Sequence, residues 1–195
     1  GQAQSMRGAI ELVLFAGGYA GLQLVDDDTL HLCLIVSRKR LLGAGGSWRA
    51  LLDVLMREEH IARRLGNAEP LFPRPLTIAN LPFGHVCDPD APMPDRCFRL
   101  GDQAALTAPL TGDGMAIAVR SARLAVGCII GEGSPADYHR QLRNAVVPQV
   151  RRAMLLQKLG DSRTALPLVF GVLRMWPGLL GIMARMTRLA DRSVA

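Results

Sequence analysis

Apolar and polar residues alternate along the first part of the chain with the period of a β-strand. The runs IELVLF, GGYAGLQLV and TLHLCLIV lie between Ile10 and Val36, and leucines occupy every second position at the start of the last run. This alternation is typical of strands with one buried face. The triplet Asp26–Asp28 separates the last two runs and lacks the other ligands of a calcium loop, so it predicts a hairpin turn. We therefore expect an antiparallel hairpin in this region.

Helical spacing of apolar residues begins after Ser47. This serine is placed to cap a helix over residues 48–65, and Gly66 is placed to end it. The proline-rich segment from Ala68 to Pro94 then excludes most helices, but it leaves room for a short edge strand in TIANLPF, residues 77–83.

The rest of the chain is predicted to be helical, apart from one strand and a glycine-rich turn. The run RCFRL, residues 96–100, predicts a short strand that leads into this turn. Helices are expected over Gly112–Ile130, over Pro135–Leu159 with Ser134 as its cap, and as two shorter segments broken at Trp176–Pro177. This order of elements predicts the α+β class, or an α/β fold of which only a part is present.

Length and composition narrow the kinds of site to expect. The 195 residues, 49% of them apolar, suffice for one core or for one core with an appendage. The four cysteines form no CxxC or Cys/His pattern, so we expect neither a metal site nor a redox dithiol. The start GQAQSMRGAIELV lacks the features of a signal peptide, so a cytoplasmic location is expected.

The chain is basic, with a net charge of +6 and a pI of about 9.8. A basic protein can bind nucleic acid, a membrane surface or an anionic ligand. Aromatic residues make up only 5% of the chain, and no nucleic-acid-binding motif is recognisable, so we expect no nucleic-acid partner. A basic nucleic-acid-binding domain is kept as an alternative hypothesis, and salt-dependent binding of the chain to DNA would test it.

Two glycine-rich turns invite a cofactor hypothesis, and the first of them fails. Gly43–Gly46 suggests a dinucleotide fingerprint, but the sixth position of GxGxxG would be Trp48, which is too large for close packing of helix on strand. The residues SRKRLL also separate these glycines from the strand that ends near Val36. This stretch is interpreted as a loop that enters a helix.

The second glycine-rich turn runs from Gly101 to Gly114. A carboxylate just past a strand end, as at Asp102, can accept hydrogen bonds from the hydroxyls of a sugar or polyol. Gly112 and Gly114 leave backbone amides accessible where a helix begins, and such a helix start favours an anion or an electron-rich oxygen. Pro109 stiffens the connection between the two parts.

The stretch GDQAALTAPLTGDG resembles the second flavin-binding motif of the FAD-dependent oxidoreductases of the p-hydroxybenzoate hydroxylase and geranylgeranyl reductase group. The residues in register with that motif are Gly101, Asp102, Ala104, Pro109, Gly112 and Gly114. Gln103 and Ala105 depart from the family's usual small residue and its usual His or Gly. The likeness covers roughly residues 8 to 190.

The resemblance implies a role for each residue. Asp102 would bond the ribityl chain of FAD, and Pro109 would lie beside the isoalloxazine ring. The amides of Gly114 and Met115 would face the pyrimidine edge of the ring, where negative charge develops on reduction. Residues 1–95 would form a substrate-domain sheet with one helix and a proline-rich connection. Residues 96–133 would form the second half of the FAD-binding domain, and residues 134–195 a C-terminal helical region.

The family also has an N-terminal Rossmann half that holds the ADP part of FAD, and no such segment is recognisable here. We therefore expect the C-terminal portion of a longer flavoprotein of FAD/NAD(P)-binding α/β fold, with weak or no flavin retention by the chain alone. The implied enzyme uses NAD(P)H on a small hydrophobic or aromatic substrate, either as a monooxygenase (hydroxylase) or as an isoprenoid-type reductase. The alternative is a non-catalytic fragment that binds a partner or a membrane surface.

Residues 165–192 are the part of the chain for which we consider contact with a membrane. The stretch from Ala165 to Ala184 is apolar apart from Arg174, but its two prolines and this arginine argue against a transmembrane helix. Two packed helices, or peripheral attachment at the inner face of the membrane, are the remaining interpretations.

Overall fold

A computed structural model describes residues 6–162, 165–176, 178, 179 and 181. It confirms a mixed α+β chain with a three-stranded antiparallel sheet and several helices. The chain divides into two compact units: residues 1–79 with 160–167 form the first, and residues 80–159 with those from 168 onward form the second. The domain boundaries that the resemblance implies, after residues 95 and 133, stay predictions.

The sheet of the first unit is an up-and-down meander. Strand β1 spans Ile10–Phe15, β2 spans Gly18–Leu24, and β3 spans Leu30–Val36, and each strand pairs antiparallel with the next. The expected hairpin is confirmed as β2 and β3. In the turn between them, the Asp26 carboxylate accepts hydrogen bonds from the N–H groups of the second and third residues that follow, at 3.0 and 2.7 Å.

Three short helices follow the sheet: α1 over Arg38–Gly43, α2 over Trp48–Leu55 and α3 over Glu59–Leu65. Ser47 caps α2 as predicted, because its Oγ accepts a hydrogen bond from the N–H of Ala50 at 3.2 Å. Since α1 fills the stretch SRKRLL, the glycines 43–46 connect two helices and follow no strand.

The single helix expected over residues 48–65 is wrong, since the chain leaves helical geometry between α2 and α3. In a continuous helix, Glu58 would lie three residues after the buried Leu55 and seven after the buried Leu51, on the same face. The interruption leaves Glu58 exposed and lets Ile61 become fully buried. The interruption therefore avoids the free-energy cost of burying the carboxylate of Glu58 without a partner. The core of this unit contains Phe15, Ala20, Leu51, Leu55 and Ile61.

The second unit contains the long helices. Helix α4 spans Gly114–Ile130, α5 spans Pro135–Asp161, and α6 spans Ala165–Met175. The last two residues of α5 and the first three of α6 are assigned to the first unit. The predicted cap of α5 is confirmed, because Ser134 Oγ accepts from the N–H of Asp137 at 3.2 Å and donates to its carboxylate at 2.6 Å. The core of this unit contains Ala104, Ala105, Ile117, Ala125, Tyr138, Leu142, Val146 and Val150.

Helix α6 ends next to the predicted break at Trp176, and the second of the two expected terminal helices falls largely outside the described residues. None of the helices in the described ranges has both the length and the apolar content needed to cross a bilayer.

The short strand expected over residues 96–100 is wrong, and residues 77–83 also form no strand. Arg96 has a φ of +57°, and the N–H of Cys97 bonds to the oxygen of Pro94 at 3.2 Å, so a turn occupies the place of the strand. Residues 84–87 instead lie beside residues 104–106, with Val86 bridged to Ala105. The chain therefore enters the glycine-rich turn from an irregular segment.

Candidate functional site

The first half of the glycine-rich segment is a 3-10 turn over Gly101–Gln103. Gly101 has a φ of +54°, and its carbonyl accepts from the N–H of Ala104 at 2.9 Å. Its own N–H donates to Ser121 Oγ at 2.9 Å, and a Cβ added to it would lie 3.6 Å from that of Ala118. The turn is therefore held against the second turn of α4, where only glycine adopts this backbone without strain.

Ser121 is a residue of this site that the sequence analysis missed. It is fully buried in α4, where its hydroxyl donates to the oxygen of Ala118 at 2.7 Å while accepting from Gly101. A signal was present in the sequence, since Ser121 lies four residues from both Ile117 and Ala125 on the buried face of the helix. A polar residue in such a stripe needs a partner, and here the partner is the glycine-rich turn.

Asp102 lies on the surface of this turn with an exposed side chain. The five residues after Gln103 are all buried, so the chain that follows the turn is packed in the core. Their backbone bonds to the preceding segment: Gly84 N–H donates to Leu106 at 2.8 Å, and Cys87 N–H donates to Ala104 at 2.7 Å. The exposed carboxylate thus belongs to a turn that is hydrogen-bonded to α4 through Gly101.

The second half of the segment is a 3-10 turn over Pro109–Thr111 that ends in Gly112. Gly112 has a φ of +71° and donates its N–H to the oxygen of Pro109 at 3.0 Å. A residue in this left-handed conformation cannot belong to a right-handed helix. Helix α4 consequently begins at Gly114, two residues later than expected.

The start of α4 presents free backbone amides to open space. The first helical hydrogen bond runs from Ile117 N–H to Asp113 O at 3.0 Å, so the N–H groups of Gly114 and Met115 have no acceptor within the helix. A Cβ added at Gly112 or at Gly114 would meet no heavy atom within 4 Å. The side chain of Met115 is 81% exposed. A flat ligand can therefore approach this backbone closely.

Asp113 is the N-cap residue of α4, and its side chain makes no capping hydrogen bond. Its side chain is only 4% exposed, and its Oδ2 atom has no hydrogen-bond partner in the part of the chain that the structure describes. The partial positive charge at the N-terminus of α4 stabilises the carboxylate. In turn, the carboxylate offsets part of that positive potential.

Tyr138 of α5 supports the turn from the core. It is fully buried, its ring centroid lies 5.4 Å from that of Phe98, and its hydroxyl donates to the oxygen of Arg99 at 2.7 Å. Burial raises the pKa of Tyr138 to about 12, so the phenol keeps its proton and remains a donor. This bond holds the chain two residues before Gly101.

The neighbouring His139 gives this unit a pH-dependent stability. Its side chain is buried, and desolvation lowers its pKa below the ordinary value, an effect that the backbone of Cys97 partly opposes. The folded chain therefore binds a proton at His139 less readily than the unfolded chain, in which an ordinary imidazole takes up a proton at about pH 6.5. The free energy of unfolding should fall as the pH drops through this value.

We expect urea unfolding between about pH 7.5 and 5.5 to show this loss, and a His139→Phe variant to lose less stability over the same interval. The interval ends above the range in which Glu11 titrates, since its pKa is lowered by the hydrogen bond from Arg64. An equal loss in both proteins would assign the pH dependence to other groups.

The six predicted binding residues lie in two short turns and in the first turn of α4. Gly101 and Asp102 lie against its second turn, while Pro109, Gly112, Gly114 and Met115 lead into its first. The glycines at the start of α4 are open, and the carboxylate of Asp102 is exposed. Comparisons of the chain with protein-family models, with curated proteins and with solved structures gave no match.

Proposed function

We propose that the chain is the C-terminal part of an FAD-dependent oxidoreductase that uses NAD(P)H as electron donor. The observation that carries this proposal is the open, glycine-lined start of α4, together with the exposed Asp102 in a turn that packs against the same helix. Bound FAD supplies the electron-transfer chemistry, and the residues of the chain bind and orient it. A small hydrophobic or aromatic substrate, hydroxylated or reduced in an isoprenoid-type double bond, is the class that the resemblance implies.

The proposed binding roles follow the chemistry of the groups present. Asp102 would accept hydrogen bonds from ribityl hydroxyls, and Pro109 would lie beside the ring, as the resemblance implies. The free amides of Gly114 and Met115 would donate hydrogen bonds to a carbonyl oxygen at the pyrimidine edge of the ring.

A second apolar stripe on α4 supports a missing complementary half. One side of the helix is buried through Ile117 and Ala125. On the other side, at helical spacing, five large apolar residues are each more than half exposed: Met115, Val119, Val126, Ile129 and Ile130. A helix that is apolar on both sides normally packs on both sides. We propose that an N-terminal Rossmann segment, which would hold the ADP part of FAD, covers this second stripe and completes an FAD/NAD(P)-binding α/β fold.

The isolated chain should bind flavin weakly and should not distinguish FAD from riboflavin. It carries the proposed contacts to the ring and ribityl chain, whereas the contacts to the ADP part belong to the complementary half. Titration by flavin fluorescence should give dissociation constants for the two ligands within about threefold of each other. No stoichiometric flavin should remain after gel filtration.

A yellow protein with stoichiometric FAD, or a strong preference for FAD over riboflavin, would contradict the proposal that this chain carries only a part of the FAD site. No binding of either ligand near its solubility limit would contradict the flavin site itself. In that case the non-catalytic binding module becomes the leading function.

A further inference from the structure

Helix α6 carries an exposed apolar stripe that the proposed flavin site does not use. Its members are Leu168, Val172, Met175 and Trp176, between 49% and 78% exposed, at the spacing of one helix face. We infer that this face, the α6 stripe, docks on an anionic phospholipid surface. The inference is independent of the flavin proposal.

The dimensions of α6 suit a helix that lies in the membrane interface. Its 11 residues extend over only ~17 Å, whereas the hydrocarbon layer is ~30 Å thick. The apolar face can therefore enter the boundary between headgroups and acyl chains without crossing the bilayer. Trp176 lies just after the last helical residue, and an indole with its polar N–H is favoured at this depth.

The charge of the sequence, together with the exposed Arg174, favours anionic lipid as the occupant. The chain has a net charge of +6, and Arg174 within α6 is exposed. The sequence from residue 162 to the end contains a single acidic residue, Asp191, against five arginines: Arg163, Arg174, Arg185, Arg188 and Arg192. Two copies of such a segment repel each other, whereas an anionic headgroup layer attracts each of them.

Sedimentation with vesicles tests the inference on the full chain. Binding is expected to vesicles of phosphatidylglycerol and phosphatidylcholine, with little binding to phosphatidylcholine alone and a loss of affinity in high salt. The double variant Val172→Asp/Met175→Asp should reduce the partition coefficient by about tenfold or more, since two carboxylates would enter the apolar boundary. Arg174→Gln should reduce it by a smaller factor.

The matched control is Leu76→Asp, which places the same charge at an apolar residue that is 99% exposed in the proline-rich segment. It should bind vesicles like the unchanged chain. In a Trp48→Phe background, the emission of Trp176 should shift to the blue on binding. Far-UV circular dichroism identifies any variant that has lost its helices.

Four outcomes would overturn the inference. If the chain does not bind anionic vesicles, the α6 stripe is not a lipid-docking surface. If it binds neutral vesicles equally well, the proposed preference for anionic lipid is wrong. If Leu76→Asp loses as much vesicle binding as the double variant, the contact with the lipid is not made by the α6 stripe. A concentration-dependent dimer that the double variant abolishes in analytical ultracentrifugation would assign the stripe to a second copy of the chain.

Discussion

Replacing Gly114 with leucine should weaken flavin binding by the chain by at least about tenfold. The backbone N–H of residue 114 is one of the two proposed donors to the ring. Because side chains of a helix tilt toward its N-terminus, a leucine at this first position would fill the space in front of the free amides. The fold should tolerate the change, since an added Cβ meets no heavy atom within 4 Å. Riboflavin titration by fluorescence measures the effect.

Gly127→Leu is the matched control for this variant. Gly127 lies in the same helix, about 20 Å further along, and an added Cβ there also meets nothing within 4 Å. Both variants should unfold near the midpoint of the unchanged chain, and only the Gly114 variant should lose flavin. If the two bind riboflavin equally well, the start of α4 is not the ring site.

Tyr138→Ala should cost about 3–5 kcal/mol in the free energy of unfolding, the range for removing a fully buried aromatic ring. The ring fills the core of the second unit beside Phe98 and His139, and its hydroxyl bonds to Arg99. Loss of the ring leaves a cavity directly beneath the glycine-rich turn. Urea unfolding at neutral pH measures the change.

Tyr138→Phe separates the ring from the hydroxyl. This variant keeps the packing and loses one hydrogen bond to the Arg99 carbonyl, so we expect a cost of about 1–2 kcal/mol. It should also weaken riboflavin binding slightly, because that bond holds the chain just before Gly101. A Tyr138→Ala variant as stable as Tyr138→Phe would show that the ring contributes little to the core.

Local patterns in the sequence predicted those elements whose signals lie within a few residues. Ser47 and Ser134 were identified as caps, because a serine just before an apolar-periodic run satisfies a free backbone N–H. The Asp26 turn was predicted for the same reason, since a short acceptor side chain bonds to the N–H groups that follow it.

The errors arose where a distant residue decides the conformation. The apolar content of residues 96–100 suggested a strand, but a strand needs a neighbour, and residues 84–87 occupy the place beside residues 104–106. The break between α2 and α3 likewise depends on which face of the helix is buried against the sheet. Neither fact is contained in the spacing of the residues concerned.

The sequence by itself determined the chemistry of the candidate site: a carboxylate at Asp102, a proline, and glycines before a helix. These features depend on residue type, because only glycine adopts a positive φ without strain and only a helix start carries free amides. The tertiary structure decided where these residues lie relative to one another. The bond from Gly101 to the buried Ser121 joins residues 20 apart and brings the carboxylate beside α4. Tertiary structure also decided which apolar faces remain exposed, because burial depends on how the whole chain packs.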